Sequence, residues 1–161
     1  MLRELSIENL AVIERATAEF GGNFNVFTGE TGAGKSILIG GINAILGQRT
    51  TKDIVRTGAP KAVITALFDD IPEKVSEKLA EMGFSAEDGE LMLMREISAD
   101  GKSSARINGR TATAAMLREV GSLLVAVHGQ PETRILMSSD NQRDILDSYG
   151  GIGPALAEYR E

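Results

Sequence analysis

Residues Phe27 to Gly47 read FTGETGAGKSILIGGINAILG, a short apolar lead, a glycine-rich loop and then a segment with helical periodicity. The loop fits G-x-x-x-x-G-K-[ST] without a gap: Gly29, then Glu30, Thr31, Gly32 and Ala33, then Gly34, Lys35 and Ser36. Gly29, Gly32 and Gly34 admit backbone angles that a Cβ forbids, so consecutive N–H groups can turn inward as an anion nest. Glu30, Thr31 and Ala33 serve that nest through their main chain. Lys35 supplies a mobile positive charge for the β and γ phosphates, and the Ser36 hydroxyl is placed to ligate magnesium. Leu38, Ile42, Ile45 and Leu46 recur at helical spacing, on one face of a helix whose N-terminus points at the phosphates, and Gly47 is positioned to stop it. A glycine-rich turn before a buried helix can also serve geometry alone. Here a strand-like NFNVFT precedes the loop and a helix follows, which is the context a nucleotide-binding loop demands.

At 161 residues the chain is one ordinary domain, or one domain's worth of a longer protein. It has no cysteine, which excludes a disulfide framework and a cysteine-based zinc site. No run of about 18 apolar residues and no basic, apolar leader occurs, so the expectation is a soluble, cytoplasmic protein with no membrane partner. Lys and Arg number 17 against 23 Asp and Glu, a formal net charge of −6. Nonspecific nucleic-acid binding depends on clustered cations that displace counterions, so any DNA contact must be local or made elsewhere.

Along the chain, ELSIENLAVIERATAEF alternates as two short strands, with Leu5 and Ile7 on one face and Ala16, Ala18 and Phe20 on another. KAVITALFDD reads as a strand, and PEKVSEKLAEMG as an amphipathic helix opening near Pro72 and closing at Gly83. ELMLMREIS and SSARIN read as paired strands around an Asp100-Gly101 turn, with Asn108-Gly109 marking the next reversal. A short helix through Met116 and Leu117 leads to LLVAV, Leu123 to Val127, whose apolar residues predict a central strand covered on both faces. Two further helical pieces are expected around Glu132 to Met137 and Asn141 to Tyr149.

A hydrolytic P-loop site needs a second acidic group at the end of an apolar strand. VITALFDD offers Asp69 and Asp70, but Thr65 interrupts the run and Asp70 is equally placed to cap the helix that follows. Gln130, in VAVHGQPE, sits just past the end of the expected buried strand, where open α/β sheets place ligand-binding groups. A neutral amide there can reach the metal or orient a water; a solvent-facing loop glutamine is the plainer alternative. His128, the only histidine, reads as a turn residue, because no Ser or Cys nucleophile with a supporting acid accompanies it.

LSIENLAVIERATAEFGGNFNVFTGETGAGKSI, the LGQRTTKDIVRTG that follows, RINGR, and above all VAVHGQPE with ILDSYGG resemble the N-terminal segment of the RecN family of bacterial DNA repair proteins. That family belongs to the SMC-like branch of the ABC-type ATPases, and the similarity runs from Leu5 to about Gly151. The resemblance implies an α/β P-loop NTPase fold: the N-terminal half of an ABC/SMC-type ATPase head, with a mixed sheet and flanking helices. It implies a head lobe over residues 1–150 carrying the P-loop and a Gln loop, and the start of a truncated coiled coil over 151–161. In such proteins the signature motif and the acidic strand return in a C-terminal head segment; SYGG, Ser148 to Gly151, is a poor imitation of that signature. ATP and Mg2+ would then be gripped by Gly29 to Ser36, with Ser36 and Gln130 on the metal. Gln130, Lys35 and Arg56, the arginine of DIVRTG, would act on the transferring phosphate, although a surface arginine is an equal reading for Arg56. The implied partners are the C-terminal head segment, a second copy across sandwiched nucleotides, and DNA in the full-length protein, at the bacterial nucleoid. Two other classes stay open: a compact P-loop phosphotransferase using Asp69 or Asp70, and a noncatalytic module in which Lys102, Arg106 and Arg110 touch DNA.

Overall fold

Period-two alternation along LSIENL, KAVITALF and LMLMREIS gives each strand one apolar edge, and those edges line up to form a single buried sheet face. The computed structural model describes residues 1–28, 34–86, 88–127, 146, 149 and 150. Strands β1 (Leu2–Leu10), β2 (Ile13–Glu19), β3 (Lys61–Phe68), β4 (Leu91–Ser98), β5 (Ser103–Ile107) and β6 (Arg110–Ala112) form a sheet in the order β2-β1-β3-β4-β5-β6. Every pairing among the described residues is antiparallel. Across it, Ile7 lies opposite Ile64, which lies opposite Arg95, which lies opposite Ala105; one step along, Leu5, Ala66, Leu93 and Ile107 form a second row. All are buried, and each Leu or Ile so placed contributes about 2 kcal/mol relative to exposure.

Three helices complete the described elements: α1 (Gly34–Ile45), α2 (Glu73–Glu81) and α3 (Ala114–Leu124). α1 packs on β1, β3 and β4, α3 packs on β5, and α2 packs on α3. The helix after the loop forms where its periodicity predicts, but its buried face is centred on Gly41, Ala44 and Ile45, with Leu46 just beyond; Leu38 and Ile42 are half-buried. Small residues let the helix lie close to the sheet. A Cβ on Gly41 would stand 2.8 Å from Cδ1 of Ile7.

The chain divides into two compact units, Met1–Ala126 and Val127–Glu161. All the elements above belong to the first. In the second, Gly150 N–H donates to the Leu146 carbonyl at 2.8 Å. The remainder of the two helical pieces expected after Glu132 lies outside the described residues. Among the described residues no helix is long and apolar enough to cross a membrane.

Local turn chemistry behaves as expected. Asn108 and Gly109 both have positive φ (47° and 76°), the requirement of a tight two-residue hairpin, and Gly101 (φ 90°) turns β4 into β5. Gly83 (φ 77°) ends α2, where Phe84 N–H donates to the Leu79 carbonyl and Gly83 N–H to that of Ala80. Three expectations fail. NFNVFT is not a strand: Phe24 is 88% exposed, and Asn25 exchanges hydrogen bonds with the Gly21 amide and carbonyl at 2.9 and 3.0 Å instead of entering a ladder. LLVAV is not a strand either, because Leu123 and Leu124 continue α3, begun by the Thr113 side-chain cap on the Met116 N–H, and only Val125 turns extended. Both apolar runs find no strand to pair with among the described residues, and a lone extended segment has no ladder to hold it. Asp70, finally, does not cap α2; Pro72 occupies that position with no side-chain bond.

Gly47 tests the packing directly. Its φ is +77°, and an added Cβ would lie 2.4 Å from the Ala114 carbonyl oxygen and 2.5 Å from the Arg118 nitrogen. Gly47→Ala is therefore expected to destabilise by about 2–4 kcal/mol, adding overpacking to left-handed strain. Gly40→Ala, in α1 with nothing within 4 Å of the new Cβ, should be neutral or stabilise by up to about 1 kcal/mol. Urea unfolding of the two variants checks the contrast, and equal effects would contradict the packing described.

Candidate functional site

The first turn of α1 consists of Gly34, Lys35 and Ser36, all exposed, with no acidic residue among them. A helix start presents N–H groups without intrahelical acceptors and the positive end of the macrodipole. Lys35 adds a full charge there and Ser36 a hydroxyl oxygen, so the turn offers donors to a polyanion and a hard oxygen ligand to a cation such as Mg2+. Among the described residues, a Cβ added to Gly34 would meet nothing within 4 Å, so none of them fills the space beside the helix start. The donor set fits a magnesium-bound phosphate. Gly29, Glu30, Thr31, Gly32 and Ala33 lie outside the described residues.

The opposite end of α1 is closed more firmly. Gln48 N–H donates to the Asn43 carbonyl and Gly47 N–H to that of Ala44, each at 3.1 Å, which together make a Schellman motif. Arg95, only 4% exposed, reaches from β4 beneath this end. Its Nη1 donates to the carbonyls of Ala44 and Gln48 at 3.0 and 2.9 Å, and its Nε donates to Ser103 Oγ at 3.1 Å. Arg118 of α3 donates from Nη2 to the Gly47 carbonyl at 2.9 Å. Burial, and secondarily the like charge of Arg118, holds the Arg95 pKa below the ordinary arginine value.

Arg56 is held by backbone pairing between the β1–β2 turn and the segment after a short 3-10 turn, Lys52–Ile54. Ala11 N–H donates to the Ile54 carbonyl at 2.8 Å and Arg56 N–H to that of Asn9 at 2.9 Å. Its guanidinium pairs with Glu14 at 3.4 Å, both side chains well exposed, and borders a shallow cleft with Lys52, Asp53 and Thr57.

Other expected residues fall elsewhere. Gln130 and His128 lie outside the described residues. The Asp69 carboxylate accepts a hydrogen bond from the Met1 ammonium at 3.1 Å, and Asp70 adopts φ 44°. The basic residues of the hairpins are engaged with the protein itself. Lys102 pairs with Asp100 at 2.9 Å, which lowers the pKa of the carboxyl and raises that of the amine. Arg106 donates to the Gly109 carbonyl, while Arg110 donates to that of Gly83 and stacks over Phe84. Arg95 went unrecognised in the sequence, though a signal was there: the alternation of Leu91, Leu93 and Ile97 places an arginine at an inward position of β4.

Comparison with known proteins agrees with this geometry. The family model described as "AAA domain" matches residues 4–148. The chain is 42% identical over its whole length to the DNA repair protein RecN of Bacillus subtilis and 35% identical to that of Haemophilus influenzae. It spans 28% and 29% of those two proteins' lengths. Among solved structures, a Pyrococcus furiosus Smc head domain with an extended coiled coil aligns over 98% of this chain and 43% of its own, with a TM-score of 0.67 and 19% identity. The recombination mediator RecF bound to ATP aligns over 92% of this chain and 38% of its own, with a TM-score of 0.61 and 19% identity. The likeness to these heads is one of fold, and the sequence match sets the chain beside RecN; by the family model, the chain belongs to the AAA-domain family.

Proposed function

We propose that the chain is the ATP-binding N-terminal part of the head of an SMC-like ATPase that acts in DNA double-strand break repair and recombination. The observation that carries this reading is the join between the loop and α1: a complete G-x-x-x-x-G-K-S signature runs into a helix whose first turn exposes Lys35 and Ser36 and holds no carboxylate. When bound, ATP with Mg2+ supplies the phosphoanhydride whose terminal phosphoryl group passes to water. The backbone of Gly29 to Gly34 binds the phosphates, Lys35 offsets their charge, and Ser36 and Gln130 hold the metal, with Gln130 also orienting the water. Arg56 is proposed as a further cation for the transferring phosphate. Its exposed pairing with Glu14 is worth at most about 1 kcal/mol, so exchanging that partner for a phosphate costs little.

Residues 1–150 are assigned to the head lobe and 151–161 to the start of a coiled coil. The partner proposed for the lobe is a second head segment of the same protein, and exposed apolar side chains support it: Phe24, Val26, Phe27, Ile39 and Leu123 are each large, apolar and exposed. Strands supplied by that segment would give NFNVFT and Val125 to Val127 the pairing they lack here. Two heads would then close around nucleotide, in keeping with the ATP-driven dimerization of SMC ATPases, one of which shares this fold, and DNA would be bound by the assembled protein in the cytoplasm. The phosphotransferase alternative is less well supported, since the sequence match is to DNA repair proteins named RecN. The DNA-module alternative is weakened by the internal partners of Lys102, Arg106 and Arg110.

Three measurements test this reading. Lys35→Ala removes the counter-charge at the helix start and should weaken ATP affinity by at least about tenfold at unchanged melting temperature; unchanged affinity by calorimetry contradicts the P-loop assignment. Gln130→Ala in the full-length protein should lower kcat by about tenfold or more with a smaller change in ATP affinity, whereas a variant that merely unfolds marks Gln130 as structural. The purified 161-residue chain should hydrolyse ATP no faster than background, with turnover restored by adding the second head segment. Robust hydrolysis by the chain alone, abolished by Asp69→Asn or Asp70→Asn, would revive the phosphotransferase.

A further inference from the structure

Arg95 is a buried cation whose partners among the described residues are all uncharged oxygens: the Ala44 and Gln48 carbonyls and the Ser103 hydroxyl. Desolvating a guanidinium is costly, and an arginine normally enters a core opposite a carboxylate. Here the compensating charge is the negative end of the α1 macrodipole, met at the Ala44 carbonyl of its last turn, with the Gln48 carbonyl just past the Gly47 stop. One planar group thereby ties together the C-terminal end of α1, strand β4 that carries it, and β5 through Ser103.

Two routes could connect this contact to the phosphate end. The direct electrostatic one is small, because a helix of 12 residues spans about 18 Å, roughly twice the Debye length of physiological salt. The mechanical one is short and stiff. α1 has its C-terminal stop in Gly47, which tolerates no Cβ, and its closest approach to the sheet at Gly41. Axial position and tilt of the helix are therefore set by the same few contacts at one end, and the first turn with Lys35 and Ser36 moves as the other end of the same rod.

We propose that Arg95 is a positioning residue for the nucleotide site: by holding the Ala44 and Gln48 carbonyls to β4 it fixes where the first turn of α1 presents Lys35 and Ser36. This rests on the nucleotide-binding reading above. Without the clamp the helix samples other positions, and nucleotide binding must draw it back. The apparent affinity then falls by the fraction of time the site is correctly placed, while turnover, once nucleotide is bound, is preserved. A purely structural residue behaves in the opposite way, because loss of folded protein lowers the apparent kcat and leaves KM unchanged.

The test is ATP hydrolysis by the full-length protein carrying Arg95→Lys, which keeps the charge but not the forked donors, beside a control of matched melting temperature, Val75→Ala on α2. The expected result is a KM for ATP raised about tenfold with kcat within about twofold of wild type, and a control with unchanged KM. Should Arg95→Lys fail to fold, Ser103→Ala, which removes only the Nε acceptor on an exposed residue, is expected to raise KM by about threefold. A wild-type protein that neither binds nor hydrolyses ATP overturns the nucleotide reading and this proposal together. With an active wild type, unchanged KM in the variant that folds, a lowered kcat at constant KM, or an equal KM rise in Val75→Ala overturns this proposal alone.

Discussion

A helix that holds a ligand by its first turn must be fixed by its last, and the C-terminal end of α1 is where this fold meets that constraint. Carbonyls there lack partners within the helix, and three parts of the chain supply donors: the Gly47 and Gln48 amides just past the helix, the Arg95 guanidinium from β4, and Arg118 from α3. The absence of a side chain at two glycines makes this possible. A Cβ on Gly47 would enter the first turn of α3, and one on Gly121 would stand 2.9 Å from Leu46 Cδ2. Strand alternation, the close seat of α1 on Ile7 and the hydrogen-bonded stop at Gly47 thus converge on one place.

The same arrangement accounts for the division of labour proposed for the molecule. The antiparallel sheet buries one face of β1, β3, β4 and β5 under helices, so this part of the chain has its own core. Just before the loop, Phe24, Val26 and Phe27 are large, apolar and exposed. The chain spans under a third of the RecN relatives' length.

Features encoded by neighbouring residues were legible in the sequence. The Asn108-Gly109 reversal, the Asp100-Gly101 hairpin, the stops at Gly47 and Gly83 and the amphipathic α2 all depend on local backbone freedom or periodicity, and all occur as expected. NFNVFT and LLVAV are apolar enough for strands, yet a strand is defined by its partner, and no partner lies among the described residues. α1 was legible as a helix but not in its rotation, because Gly41 and Ala44 carry little hydrophobic signal and act by permitting close approach. For the site, the helix start with Lys35 and Ser36 follows from the motif, and the positions of Gly29 to Ala33 and Gln130 lie outside the described residues. Arg95 escaped because a charged residue inside an alternating strand is read as a surface position until the helix end above it is known.

Phosphates are held to dock on the first turn of α1, and hydrogen exchange of the full-length protein with and without ATP and Mg2+ probes that contact most directly. Nucleotide is expected to slow exchange at the amides of Gly34, Lys35 and Ser36, while the amides of Gly47 and Gln48, already bonded to the Ala44 and Asn43 carbonyls, change little. Bound nucleotide that leaves those three amides unchanged and protects the segment around Asp69 and Asp70 instead would contradict it.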